Sequence, residues 1–155
     1  MLEAGQPFPD FALTDQDEKP FARKNLLGHW SVVYFYPKDN TSGCTLEAKE
    51  FTCLVDKFQE KKTLVVGVSP DSPKSHANFI AKQELGLKLL SDPEKELLQA
   101  AGVWRLKKVC GRESYGVVRS TFLLDSKGVI QQIWDKVKAK GHAEAVLAKL
   151  AELKK

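Results

Sequence analysis

The stretch Trp30-Ser-Val-Val-Tyr-Phe-Tyr36 restricts the fold more than any other part of the sequence: it is β-branched and aromatic, apolar nearly throughout, and bounded by Gly28 and Pro37. A run of that length without regular polar alternation fits a strand buried on both faces, central in a sheet. Thr63-Leu-Val-Val-Gly-Val-Ser69 repeats the type. Between them Cys44, Ala48, Phe51, Val55 and Phe58 recur at spacings of four, three, four and three, which is the apolar stripe of a helix over Cys44 to Glu60. Further on, Ser120–Asp125 and Val129–Trp134 read as a hairpin around Ser126, Lys127 and Gly128. Four core strands are predicted.

Helix ends are also legible. Ser72-Pro73 and Asp92-Pro93 each pair an N-cap residue with proline at the first helical position, and Gly102 closes the second of these helices. From Ala143 to Leu153, Val146, Leu147, Leu150 and Leu153 share one face. Strands alternating with helices, then a hairpin and a last helix, predict an α/β sandwich whose central mixed β-sheet is flanked by helices. With 155 residues, 43% of them hydrophobic, and no repeat or linker, residues 1–155 are expected to form a single domain.

The charged residues, 24 Lys and Arg against 20 Asp and Glu, form a mixed surface without an acidic tail. Lys136, Lys138, Lys140, Lys149, Lys154 and Lys155 read as a solvated face, so no nucleic-acid partner is expected. The longest apolar run is strand length, which predicts no membrane span. The start MLEAGQPFPDF lacks the basic and apolar regions of a signal peptide, so a cytoplasmic location is expected. His29, His76 and His142 share no ligand spacing and are read as strand-flank or helix-surface residues; no metal is expected. The absence of a C-x-x-C pair argues against a disulfide exchanger, and without a phosphate-cradling glycine loop or a dinucleotide fingerprint no cofactor is expected either. Three cysteines cannot complete a disulfide framework and suit a reducing compartment.

The chemically informative segment is Tyr36-Pro-Lys-Asp-Asn-Thr-Ser-Gly-Cys-Thr45, running from a buried strand through a polar loop into a helix. Thr41 or Ser42 is the natural N-cap, and Gly43 allows a close backbone approach. Cys44 then falls among the free N–H groups of the first turn, where the helix dipole favours a thiolate. The competing reading is that Cys44 is a small core residue on the apolar stripe.

Pro37-x-x-x-Thr41-x-x-Cys44 matches the PxxxTxxC signature of the peroxiredoxins, and YFYPKDNTSGCTLEA resembles their bacterioferritin comigratory protein or peroxiredoxin Q branch. Ser69-Pro-Asp-Ser-Pro-Lys-Ser-His-Ala-Asn-Phe, Leu90-Ser-Asp-Pro, Gly102-Val-Trp and Arg119-Ser-Thr-Phe-Leu-Leu-Asp extend the likeness over roughly residues 2–155. The resemblance implies a thioredoxin-like fold and a thiol-dependent, antioxidant peroxidase acting on hydrogen peroxide and organic hydroperoxides. It implies Cys44 as peroxidatic nucleophile, forming a sulfenic acid that thioredoxin or another thiol reduces. Thr41 would hydrogen-bond thiolate and peroxide, Pro37 would cover the site, and Arg119 would stabilise the thiolate and orient the peroxide. The backbone N–H groups of Gly43 and Cys44 are candidate donors to the peroxide oxygens, and Glu47 is a supporting residue. Relatives of this branch are monomers or small homodimers.

The sequence departs from the branch at both usual resolving positions, which hold Lys49 and Ile80 instead of cysteine. Cys53 lies nine residues beyond Cys44, about 13.5 Å along an ideal helix and on roughly the opposite face, and is read as structural packing. Cys110, in the basic stretch Arg105–Arg112, is read as a surface or packing residue in a loop, with a Cys44–Cys110 disulfide as the alternative resolving route. The favoured expectation is a one-cysteine enzyme resolved by an outside thiol. The rival function is a peroxide sensor that relays its oxidation to a partner protein.

Overall fold

The computed structural model describes residues 2–154. Its elements in chain order are β1 (Ala12–Asp15), β2 (Pro20–Ala22), β3 (Trp30–Phe35), α1 (Ser42–Glu60), β4 (Thr63–Ser69), α2 (Pro73–Gln83), β5 (Lys88–Ser91), α3 (Glu96–Ala100), β6 (Trp104–Val109), β7 (Arg112–Val117), β8 (Ser120–Leu124), β9 (Ile130–Trp134) and α4 (His142–Leu153). Seven strands form one mixed sheet in the order β2-β1-β5-β4-β3-β8-β9, and β6 and β7 form a separate hairpin.

β3 lies inside that sheet, parallel to β4 and antiparallel to β8, as its apolar run predicts. Its side chains alternate between two cores. Val33 and Phe35 join Phe8, Val66, Leu97 and Phe122 on one face, whereas Val32, Tyr34 and Tyr36 pack with Ala48, Phe51, Phe58, Val146 and Leu150 of α1 and α4 on the other. Cys44 belongs to the second cluster. Tyr34 stacks on Phe51 with ring centroids 4.8 Å apart. Opposite it on β4 is Gly67, where a Cβ would stand 2.8 Å from Tyr34 Cζ, so the absence of a side chain there makes room for the ring. Among the described residues, no helix is long and apolar enough to cross a membrane.

The four predicted strands and the Ser120–Trp134 hairpin are present, but the sheet carries three strands more, β1, β2 and β5. Each is three or four residues long, too short for a period to show. Ser72 caps α2 as expected, its Oγ accepting the Ser75 N–H at 3.1 Å. Asp92 is a correction: α3 begins at Glu96, with left-handed Lys95 at its N-cap. The Asp92 carboxylate instead reaches across the turn to accept the N–H groups of Glu96 (3.0 Å) and Leu98 (2.8 Å). Gly102 does close α3, with φ at 74° and its N–H donating to Gln99 O. On α4, Leu153 is exposed at the helix end while Val146 and Leu150 are buried.

The stretch around Cys110 is not a loop. Trp104 to Val109 pairs in register with Arg112 to Val117, and Cys110 and Gly111 form the two-residue turn with φ of 51° and 79°. Positive φ at both positions is the geometry of a type I′ hairpin turn. Cys110 is therefore an exposed residue at a hairpin tip, which agrees with its reading as a surface residue.

Candidate active site

β3 ends at Phe35, and the chain crosses Tyr36–Thr41 before α1 starts at Ser42. Thr41 is the N-cap by backbone geometry, but its hydroxyl donates to the Lys38 carbonyl at 2.8 Å and makes no capping bond. The first intrahelical bond runs from the Thr45 N–H to the Thr41 carbonyl, so the N–H groups of Ser42, Gly43 and Cys44 precede the helical ladder. Cys44, at the third helical position, is only 1% exposed.

Arg119 meets it from the far side of the site, in the two-residue passage between β7 and β8. Its Nη2 donates to Cys44 Sγ at 3.4 Å and its Nη1 to Glu47 Oε1 at 2.6 Å. Gly43 permits this approach, since a Cβ there would lie 3.0 Å from Arg119 Nη2. Glu47 is fully buried and its second oxygen has no hydrogen-bond partner among the described residues. Burial raises its carboxyl and pairing with Arg119 offsets this only in part, leaving it at about 7 against an ordinary 4.5. Burial works against the charge on Arg119 too, but Glu47 and Cys44 more than offset it and hold the proton more tightly than usual. Arg119 thus remains a fixed cation bridging a thiol and a carboxylate. Glu47, read from sequence only as supporting, is half of this bridge.

The structure brings Gly43, Cys44, Glu47 and Arg119 into direct association. Thr41 lies at the exposed rim, three residues before Cys44, and Pro37 is half-buried where the chain leaves β3. All three cysteines carry free thiols. Cys53 is exposed, which overturns its reading as packing: a residue half a helical turn away from the buried stripe faces solvent. Lys49 is exposed and Ile80 half-buried. Lys107, in the polar half of β6, adds a second cation near the site. Burial and the neighbouring Arg119 lower its hold on the proton, partly countered by Cys44.

Two histidines also differ from expectation. His142 is buried, its Nε2 2.8 Å from Thr121 Oγ1 and its ring edge-on to Phe51 and Trp134. Burial, helped by Arg119, drives its value down to about 4, so it is neutral near pH 7. His76 is completely buried on α2, with Nδ1 2.7 Å from Asp39 Oδ2 and Nε2 2.9 Å from the Leu90 carbonyl. Asp39 also accepts from the Tyr36 hydroxyl (2.6 Å) and the Ser75 hydroxyl (2.8 Å). Asp39, Asp71 and His76 offer ligand atoms within 4.8 Å of one another, but these atoms already serve one another and their neighbours as hydrogen-bond partners. The spacing of His76 and Phe79, three apart on α2, is the one sequence signal that turns this histidine inward.

A parallel-centred α/β sheet that sets a helix-start thiol against a guanidinium braced by a buried carboxylate is the architecture of a thiol-dependent peroxidase. The chain belongs to the AhpC/TSA family, whose profile matches residues 4–133. It is similar to Peroxiredoxin Bcp of Bacillus subtilis, 41% identical over 152 residues covering 98% of this chain and 97% of that one. Peroxiredoxin Bcp of Xanthomonas campestris is 49% identical over 123 residues, 79% of this chain and 77% of that one. Among solved structures, the bacterioferritin comigratory protein of Xanthomonas campestris, described with alkyl peroxide reduction activity, superposes with a TM-score of 0.92 at 41% identity, covering 99% of this chain and all of that one. A cysteine-to-serine variant of PrxQ from Xylella fastidiosa gives a TM-score of 0.95 at 35% identity, covering 100% of this chain and 99% of that one. The peroxiredoxin resemblance and the thioredoxin-like fold expected from the sequence are both borne out.

Proposed function

We propose that residues 1–155 act as one domain in which Cys44 is the peroxidatic nucleophile toward hydrogen peroxide and organic hydroperoxides. The Cys44 thiolate attacks the terminal oxygen of the hydroperoxide, the O–O bond breaks, and the departing alkoxide takes up a proton to leave as alcohol or water. The sulfur is left as a sulfenic acid. The observation that carries this reading is the Arg119 bridge: one guanidinium nitrogen on Sγ and another on Glu47 fix a permanent cation where negative charge shifts from sulfur to oxygen. The N–H groups of Gly43 and Cys44 add backbone donors, Pro37 contributes no N–H at the loop entrance, and Thr41 offers its hydroxyl lone pairs at the rim.

Reduction then follows the one-cysteine route. A thiol from thioredoxin or another donor attacks the sulfenic sulfur, water leaves, and a second thiol opens the mixed disulfide. Lysine and isoleucine at positions 49 and 80, and the exposed place of Cys53 on the face of α1 opposite Cys44, support this over an internal disulfide. Intact-mass analysis after one equivalent of peroxide, followed by peptide mapping, tests it. The expected result is a single added oxygen, or a trapped sulfenic adduct, on Cys44 alone. A Cys44–Cys110 bridge would replace the one-cysteine route, and oxidation elsewhere with Cys44 intact would overturn the site.

Gly43 gives a second test, because α1 has an ordinary helical backbone there and alanine is favoured over glycine in helices by about 0.5–1 kcal/mol. The group its methyl meets is the tip of a flexible side chain. Gly43→Ala is expected to melt at or below the parent temperature, since strain on the Arg119–Glu47 pair offsets the helical gain, and to turn over peroxide about tenfold more slowly as the guanidinium is displaced from sulfur. Thermal melts paired with steady-state rates check this; an unchanged rate would remove Arg119 placement as the reason for the glycine.

A further inference from the structure

The Lys38–Asp39 peptide unit is held from both sides. Its N–H donates to Asp71 Oδ2 at 2.8 Å, and its carbonyl accepts the Thr41 hydroxyl at 2.8 Å. In a planar trans peptide these two groups point in opposite directions, so fixing the N–H fixes the carbonyl. Asp71 is itself held in place: Ser69 Oγ, at the end of β4, donates to the same Oδ2 at 2.7 Å, and the Asp71 N–H returns to Ser69 Oγ at 3.2 Å. The side chain of Asp39 completes the clamp, taking hydrogen bonds from Tyr36, Ser75 and His76. His76 is wedged between two acceptors, with Nε2 2.9 Å from the Leu90 carbonyl and Nδ1 2.7 Å from the Asp39 side chain. Asp71 thus holds the peptide unit directly, while Tyr36, α2 and, through His76, β5 hold the Asp39 side chain beside it.

From this geometry we infer that Asp71, braced by Ser69 and flanked by the Asp39–His76 pair, is a positioning residue for the peroxidase reaction, acting through the Lys38–Asp39 peptide on the Thr41 hydroxyl. With its single hydrogen committed to the Lys38 carbonyl, Thr41 Oγ1 presents only lone pairs. Its role is therefore to accept the O–H of the incoming hydroperoxide, fixing which oxygen faces sulfur. The inference rests on Cys44 and Thr41 forming the reactive site.

The test is a double-mutant cycle between Asp71→Ala and Thr41→Val, read as the second-order rate of Cys44 oxidation in single turnover. Asp71→Ala alone is expected to slow oxidation about tenfold, a range typical of misplaced reacting groups. Asp71→Asn, whose amide oxygen still accepts the Asp39 N–H, is expected to stay within about threefold of the parent. In the Thr41→Val background, Asp71→Ala is expected to add less than about twofold, because the group it positions is gone. Additive losses, or no loss in Asp71→Ala, would overturn the inference. Should Asp71→Ala fail to fold, Ser69→Ala takes its place in the cycle with a smaller loss and the same expected non-additivity. A Cys44→Ser control separates the outcomes: peroxide turnover surviving in it would defeat the site, whereas turnover lost there with an additive cycle would defeat only the positioning role.

Discussion

Replacing Cys44 with serine is expected to abolish hydroperoxide turnover, a loss of about three orders of magnitude or more, as for removal of other catalytic nucleophiles. Serine preserves the volume at a site that is 1% exposed, so the core formed with Ala48 and Phe51 keeps its shape. The hydroxyl also retains Arg119 Nη2 as a donor. What is lost is the chemistry: an alcohol at neutral pH supplies almost no anion and its oxygen is not oxidised by peroxide. Cys53→Ser and Cys110→Ser are expected to keep the parent rate when an external thiol is in excess. A steady-state assay with thioredoxin and its reductase decides the matter, and full activity in Cys44→Ser would end the proposed mechanism. The same assay on the parent protein separates enzyme from sensor, since a sensor would consume one equivalent of peroxide and stop.

Replacing Arg119 with methionine is expected to lower peroxide turnover by about a hundredfold to a thousandfold, the usual effect of deleting a preorganised donor from a charge-developing site. Arg119→Lys retains the charge but has one nitrogen where the guanidinium serves Cys44 and Glu47 with two, so an intermediate loss is expected. The stability effect depends on pH. Glu47 is a carboxyl whose folded value, about 7, lies above its ordinary 4.5. The folded protein therefore holds a proton that the unfolded chain has released in this interval, and the group's contribution to stability declines as pH rises from 4.5 to about 7. Without Arg119, burial acts unopposed and the decline extends to higher pH. Arg119→Met is accordingly expected to lose about 3–5 kcal/mol in mildly alkaline buffer, the typical effect of orphaning one member of a buried pair, and clearly less in mildly acidic buffer, where Glu47 takes up the proton. Urea denaturation at the two pH values measures this. Equal losses would mean that Glu47 does not titrate in response to its partner.

The central strand, the stripe of α1 and the loop before Cys44 were legible because each is written in contiguous residues. Arg119 is 75 positions from Cys44, and only the family likeness ties them together in sequence. Glu47 was undervalued because, with the helix read as starting at Cys44, an acid so near its start has an ordinary explanation in the helix dipole; the helix in fact starts at Ser42 and leaves Glu47 in the second turn. Cys53 was misread although its half-turn offset from Cys44 already implied the solvent face. The clamp on the Lys38–Asp39 peptide left no trace: its members come from separate segments, and a buried aspartate–histidine pair looks in sequence like loop and helix-surface residues. The β6–β7 hairpin was hidden by Arg105, Lys107 and Lys108, which mask the alternation, and by a cysteine in a turn position where asparagine or aspartate is the usual signal.

The uncapped start of α1 bears on access to the oxidised sulfur. In the proposed cycle, a sulfenic acid at so buried a position would meet a bulky thiol reductant only if the first helical turn opened. A threonine hydroxyl engaged in capping would oppose that opening by about 1 kcal/mol, and here the hydroxyl is turned to Lys38 instead. At that magnitude the open form is about fivefold more populated than it would be with the cap made. The aromatic rings that hold α1 to the sheet begin at Phe51, beyond the segment that must loosen. Regeneration of the thiol would thus draw on the one stretch of this helix that carries no aromatic anchor.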